Sequence, residues 1–324
     1  MSARKVSAVM PVHNGATYLS AAIDSVICQT HEDFELIIVD DGSSDATADI
    51  VAGYSDSRVR CIRLEKSGLV AALNAGLQHA AGAYIARMDA DDICYPDRFS
   101  VQVAELEGRQ ELGLVCSDIV RIDVDGNDIG AESFRGLDSD VLRDGLLYKK
   151  AIKPVVHPTV MMRREVYERV GGYRRYHCAE DHDYWLRCVD RYGFSRIARP
   201  LLRYRVNDQG VSRTKSAEQM ASAMMSAINY EVHLFTKTDL YSEHVDLWTA
   251  TLACLRVEEI PELAMAASSF QEIKGAVRAK QPWSVAKASV RGIARSGMNW
   301  LPGEQLRRKR EAVTRLVRTV VGSL

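Results

Sequence analysis

Three short stretches near the start of the chain carry side chains suited to cations, phosphates and nucleotides. The first is Asp89-Ala90-Asp91-Asp92. Two acids in a D-x-D spacing can share one hard cation. Magnesium typically takes one or two protein carboxylates and keeps its other positions for phosphate oxygens and water. All-oxygen ligation suits Mg²⁺ or Mn²⁺ rather than Zn²⁺. Arg87, two residues earlier, could meet a phosphate or pair with one of these acids. The other two stretches are Asp40-Asp41 and Pro11-Val12-His13-Asn14. A carboxylate there can accept from the donors of a base or ribose. Asp is also favoured in helix caps and turns, and any one cluster taken alone reads equally well that way. Three together are harder to assign to capping.

Each cluster follows an apolar run, so the elements that carry them can be read. Residues 6–11, 34–39, 59–64 and 84–88 read as strands. Residues 16–29, 45–54 and 69–80 read as helices, the first with Leu19, Ala22, Ile23, Val26 and Ile27 at helical spacing. Strand–helix alternation with short connections predicts a mostly parallel, Rossmann-like α/β sheet flanked by helices. Continuous apolar strands agree, because such strands are buried on both faces. Ligands of open α/β sheets bind beyond the carboxyl ends of the strands, where all three clusters fall.

Further along, residues 96–107 predict a helix and 114–122 a strand. Residues 123–153 are rich in turns, with Asp125-Gly126 as a hairpin turn. Residues 159–163 predict a strand, 164–170 and 181–192 helices, and 195–198 and 201–205 strands. His157 precedes Pro158, which predicts extended backbone there. From about 215 the pattern is helical, with breaks at Pro261, Pro282 and Pro302. A soft boundary near 213 separates residues 1–213 from a helical region at 214–324.

The net charge of −1 is uninformative, but its distribution is not. Residues 274–324 hold 12 Lys/Arg against Glu304 and Glu311, while the first 273 residues hold 30 basic and 41 acidic side chains. A basic tail on an acidic body points to an anionic partner. The seven cysteines are scattered and form no C-x-x-C pair, so neither a zinc ribbon nor a disulfide framework is indicated. A reducing cytoplasm fits that pattern. No run of about 18 apolar residues marks a membrane span.

Four ordered blocks are similar to family 2 glycosyltransferases of the GT-A fold. They are AVMPVHN (8–14), SVICQTHEDFELIIVDDGSSDAT (25–47), GLVAALNAGLQHAAGAYIARMDADDICYPDRF (68–99) and HPTVMMRREVYERVGGYRRYHCAEDHDYWLR (157–187). The resemblance implies transfer of a sugar, with inversion, from a nucleotide-diphosphate donor to an acceptor hydroxyl. It implies a catalytic domain over 1–213, with the donor side at about 1–122 and the acceptor side at about 123–213. Pro11, Val12, His13 and Asn14 would line the nucleobase pocket, and Asp41, beside Asp40, would bind base or ribose. Asp89 with Ala90 would approach the ribose and Asp91 would ligate Mn²⁺ or Mg²⁺, with Asp89 as the second metal-side acid. Asp92 would be an acid behind these or a helix cap before Ile93. The family's Glu-Asp motif falls on Glu180-Asp181, with Asp181 as base and Glu180 orienting the acceptor. His157 could contact diphosphate or acceptor, or be a buried, satisfied histidine. Ser212 and Arg213 could belong to a loop over the donor.

The implied donor is a UDP-sugar, with GDP- and dTDP-sugars as alternatives, and the acceptor a glycan or lipid-linked chain in surface polysaccharide assembly. Arg307, Arg308, Lys309, Arg310, Arg315 and Arg318, with apolar residues on one face, predict a basic amphipathic helix. It could lie on the inner face of an anionic membrane, pack on the catalytic domain or join an oligomer. Nucleic acid is not expected, since no recognised binding module accompanies the charge. A nucleotidylyltransferase would need a Gly-rich basic loop after its first strand, and His13-Asn14-Gly15-Ala16 is neither long nor basic. A catalytically silent binder would lack the metal acid or the base, and both are present.

Overall fold

A computed structural model describes residues 5–133, 142, 146, 155–176, 179–207, 223, 226, 229, 230, 233 and 239–243. The chain divides into two compact units, Met1–Arg174 with Arg187–Gly210, and Arg175–Leu186 with Val211–Leu324. The basic tail, Ser212 and Arg213 lie outside the described residues.

The first unit is built on one sheet. Its parallel half comprises β1 (Val6–Val12), β2 (Phe34–Asp41), β3 (Val59–Leu64) and β4 (Tyr84–Arg87). The later strands are β5 (Ile93–Cys94), β6 (Leu112–Ile122), β7 (Asp128–Glu132), β8 (Met161–Arg163) and β9 (Gly193–Arg205). Their order is β3-β2-β1-β4-β8-β6-β9-β5, with β7 paired to β6. The pairs β1–β2, β1–β4 and β2–β3 are parallel, whereas β8 is antiparallel to both β4 and β6. This is the expected α/β architecture.

Helices α1 (Leu19–Ile27), α2 (Thr47–Ala52), α3 (Leu69–His79) and α4 (Arg98–Gly108) follow β1, β2, β3 and β5. Every residue of β1 and β2 is buried, which requires cover on both faces. Met10, Ala8, Leu36 and Ile38 join α1 residues Leu19, Ala22, Ile23 and Val26 in one core. On the opposite face α3 packs close, because Gly76 has no side chain where a Cβ would lie 2.3 Å from Val9 Cγ1.

Local differences from the sequence reading have physical causes. Helix α1 begins at Leu19 rather than 16, because Tyr18 and Leu19 N–H both return to the Gly15 carbonyl at 3.1 Å and form a turn first. The expected strands at 195–198 and 201–205 are one strand, β9. Pro200 is accommodated where the register against β6 shifts at Asp118. His157 is not extended; it opens a 3-10 turn, His157–Thr159. The Thr159 N–H and hydroxyl both bond to the Val156 carbonyl, at 2.9 and 2.7 Å, and Pro158 loses no needed donor in a first turn. The Asp125-Gly126 turn is as expected. Gly126 has φ 89° and joins β6 to β7.

Candidate active site

Strand β1 sets the first wall. Met88 N–H donates to the Val9 carbonyl at 3.0 Å, so the odd residues of β1 face β4. Pro11 faces the same side, but β4 pairs with β1 only through Val9↔Arg87. The missing proline N–H therefore falls where no ladder partner remains. Beyond Pro11 and Val12, both buried, His13 and Asn14 are exposed. Asn14 has φ 53°, a left-handed conformation Asn tolerates. Its Oδ1 accepts Ser44 N–H at 2.8 Å and its own N–H donates to Ser43 Oγ at 2.9 Å. These bonds lock the loop after β1 to the loop after β2.

The two acids ending β2 are both engaged. Asp40 is buried, accepts Ser43 N–H at 2.9 Å and lies 3.7 Å from Arg63 Nε. Asp41 accepts Ser67 N–H on one oxygen at 2.7 Å and Gly68 N–H on the other at 2.8 Å. Its carboxylate thus fixes the loop that leads into α3. Each carboxylate oxygen has a second lone pair, so this anchoring leaves capacity for a ligand donor.

The acidic cluster lies just past β4. One carboxylate oxygen from each of Asp89, Asp91 and Asp92 falls within 4.8 Å of the others. Asp89 is ion-paired with Arg87. Among the described residues, Asp91 and Asp92 make no ion pair. Burial, and then repulsion from Asp89, pushes the Asp91 carboxyl up to about 6. Burial, followed by Asp89 and Asp91, raises Asp92 well above the usual carboxylate range. Asp92 Oδ1 accepts Arg205 N–H at 2.8 Å, whereas its buried Oδ2 meets no hydrogen-bond donor among the described residues. Crowded, desolvated carboxylates with an unmet oxygen fit a divalent cation, which would relieve the repulsion. Ala90 is half-buried between them. Asp92 caps no helix, because Ile93 starts β5, which pairs with β9.

Several side chains that organise this wall had no sequence signal. Arg98 is fully buried. It donates to the Arg87 carbonyl at 2.8 Å, to Gln102 Oε1 at 3.0 Å and to Cys94 Sγ at 3.3 Å. Arg205 holds the other end of the cluster. Tyr173 is gripped through its backbone by Asn74, which accepts its N–H at 2.8 Å and donates to its carbonyl at 2.9 Å. The Tyr173 hydroxyl lies 2.9 Å from His157 Nε2. Burial, and then the nearby Arg87 charge, holds His157 well below its ordinary pKa, so it is neutral near pH 7.

Glu180 and Asp181 open the helix α6 (Glu180–Val189), which follows α5 (Arg164–Val170), and both belong to the second unit. Glu180 is buried and Asp181 half-buried. Asp181 Oδ1 accepts the His182 N–H at 2.7 Å, a local bond of the capping kind. His182 Nδ1 lies 2.6 Å from Ser226 Oγ. Tyr184 and Trp185 are buried edge to face, at 5.5 Å between centroids. They are core residues.

The model for "Glycosyl transferase family 2" matches residues 7–171, and the chain belongs to that family. It is a glycosyltransferase with the GT-A fold. EpsE of Bacillus subtilis (strain 168), which carries a glycosyltransferase name, is 38% identical over 194 residues, covering 57% of this chain and 67% of EpsE. The O-antigen biosynthesis glycosyltransferase WbnJ of Escherichia coli is 29% identical over 238 residues, covering 72% of this chain and 89% of WbnJ. Among solved structures, S. aureus TarS 1-349 in complex with UDP-GlcNAc matches with a TM-score of 0.59 at 17% identity, over 88% of this chain and 90% of that one. That likeness concerns the fold. Among the described residues no helix is long and apolar enough to cross a membrane.

Proposed function

We propose that the protein is an inverting transferase that moves a sugar from a nucleotide-diphosphate donor to an acceptor hydroxyl, in the assembly of a surface polysaccharide. The observation that carries this reading is the gathering of Asp89, Asp91 and Asp92 within 4.8 Å, past the end of β4 in a family 2 chain. The names of WbnJ, an O-antigen enzyme, and of TarS with UDP-GlcNAc support the pathway and favour a UDP-sugar over GDP- and dTDP-sugars. The proposed acceptor is a glycan or lipid-linked chain.

In this reading residues 1–213 are catalytic, with the donor side at about 1–122 and the acceptor side at about 123–213, and residues 214–324 form a helical region. Pro11, Val12, His13, Asn14, Asp40 and Asp41 bind the nucleoside. Asp91, with Asp89, holds Mn²⁺ or Mg²⁺. Bound there, the cation would offset the negative charge that grows on the departing diphosphate. Arg87, ion-paired with Asp89, holds that carboxylate in place, and the neutral His157 feels the same Arg87 charge. Asp181 takes the proton of the acceptor hydroxyl and Glu180 orients that hydroxyl. The acceptor oxygen bonds to the anomeric carbon as the bond to the phosphate oxygen breaks. The diphosphate leaves with the electron pair, through an oxocarbenium-like transition state. We place the enzyme in the cytoplasm, on the inner face of the membrane.

A thermal-shift panel of UDP-, GDP- and dTDP-sugars, with and without Mn²⁺, tests the reading. A donor that binds the native state raises its melting temperature by mass action. A Mn²⁺-dependent rise with one donor class is expected, and no rise with any nucleotide sugar would refute it.

A further inference from the structure

We infer that Arg205, at the carboxyl end of β9, is a positioning residue that sets the cation affinity of the acidic cluster, an inference that rests on the proposed metal role of Asp91. Arg205 is 6% exposed and makes no ion pair among the described residues. Each hydrogen bond its side chain donates among the described residues goes to a main-chain carbonyl. Nε donates to Asp91 at 2.8 Å, and Nη1 to Asp123 at 2.8 Å and Val124 at 2.9 Å. Its own N–H donates to Asp92 Oδ1 at 2.8 Å. The guanidinium sits over the Tyr18 ring, 4.2 Å from its centroid.

One side chain therefore ties together four parts of the first unit. These are the acidic loop, the β6–β7 turn, the end of β9 and the segment entering α1. The geometry is directed at the cluster from two sides. The backbone of Arg205 holds the Asp92 carboxylate, and the side chain holds the main chain of Asp91. Between them they fix the separation of two carboxylates that repel one another. The planar guanidinium can reach both the acidic loop and the turn at fixed angles, which a lysine ammonium cannot reproduce. A buried cation without a carboxylate of its own also leaves its charge to act on the acidic loop it is bonded to. The role is positioning because Arg205 reaches the cation site only through Asp91 and Asp92.

The test measures Mn²⁺ binding directly, by calorimetry in the presence of UDP, on the full chain. The variants are Arg205→Gln, Arg205→Lys, Asp91→Ala and the double variant Arg205→Lys/Asp91→Ala. Ile37→Val, in the β2 core, controls for general loss of stability. Metal-free melting shows which chains are folded, and Arg205→Lys carries the test if Arg205→Gln is not. Arg205→Lys and Arg205→Gln should weaken Mn²⁺ binding about tenfold or more, while Ile37→Val leaves it within about twofold. In the Asp91→Ala background, Arg205→Lys should add nothing, because the two act on one site. Unchanged Mn²⁺ affinity in a folded Arg205 variant overturns the inference while leaving the metal reading intact. If wild type itself binds no Mn²⁺ with UDP, the metal reading and this inference fall together.

Discussion

The Arg87 guanidinium and the Asp89 carboxylate form an ion pair across two residues at the end of β4, with side chains 9% and 29% exposed. The pair divides the acidic cluster. Asp89 has its ion-pair partner inside the protein, whereas Asp91 and Asp92 make no ion pair among the described residues. A cation entering the site gains most by answering the latter two. Asp92 is already drawn to the Arg205 amide, so Asp91 is the acid best placed to turn toward a metal.

Asp91 should therefore govern both metal and pH behaviour. Asp91→Ala should remove the Mn²⁺-dependent part of donor binding, and calorimetry showing unchanged cation dependence would sink the assignment. The native pKa of about 6 lies above the ordinary value of 3.8, so between about pH 4 and 6 the native state binds more protons than the unfolded state. Metal-free stability must then fall as pH rises through that window. Asp91→Asn should melt above wild type beyond pH 6 and converge on it near pH 4. Protons compete with the cation, so wild-type Mn²⁺ affinity should weaken as pH drops through 6.

Asp181→Asn should abolish transfer while donor binding stays within about twofold. The amide keeps the size of the side chain but cannot take a proton at neutral pH. Loss of a general base costs about 10²–10⁴-fold in rate. A radiolabelled or coupled transfer assay showing a near wild-type rate would reassign the base.

Asp41→Ala should loosen the turn before α3. It removes the hydrogen bonds of the exposed Ser67 and Gly68 N–H groups, worth about 0.5–1.5 kcal/mol each. The effect should show as a lower melting temperature without nucleotide, together with weaker UDP binding. Normal binding in a destabilised variant would confine Asp41 to a structural role.

The basic tail makes a separate prediction. Full-length protein should co-sediment with anionic vesicles, and a chain ending at Gln281 should do so less, with the difference shrinking as salt is raised. Equal sedimentation of the two would remove membrane association from the reading.

Much of the parallel half was legible in the residues themselves. β1, β2 and β4 are short continuous apolar runs, and burial on both faces leaves such runs one role. Asp40-Asp41 and Asp89-Ala90-Asp91-Asp92 follow those runs directly, so their place at strand ends came with the strands. The Asp125-Gly126 turn was equally local, since only a residue tolerant of positive φ suits it. The helix cap once allowed for Asp92 was also a local argument, and it failed because Ile93 pairs with Arg203, far along the chain.

The sequence alone determined the family, the parallel strands and the acids that crown them, because each is written in adjacent residues. The tertiary structure decided which charges answer one another. Asp91 and Arg205 meet across 114 positions, Arg98 crosses to the Val160 carbonyl at 3.4 Å, and Asn74 grips Tyr173 99 positions on. No periodicity records such pairs. They arise only when the sheet and its covering helices assemble, and past the end of β4 burial raises the Asp91 carboxyl to about 6.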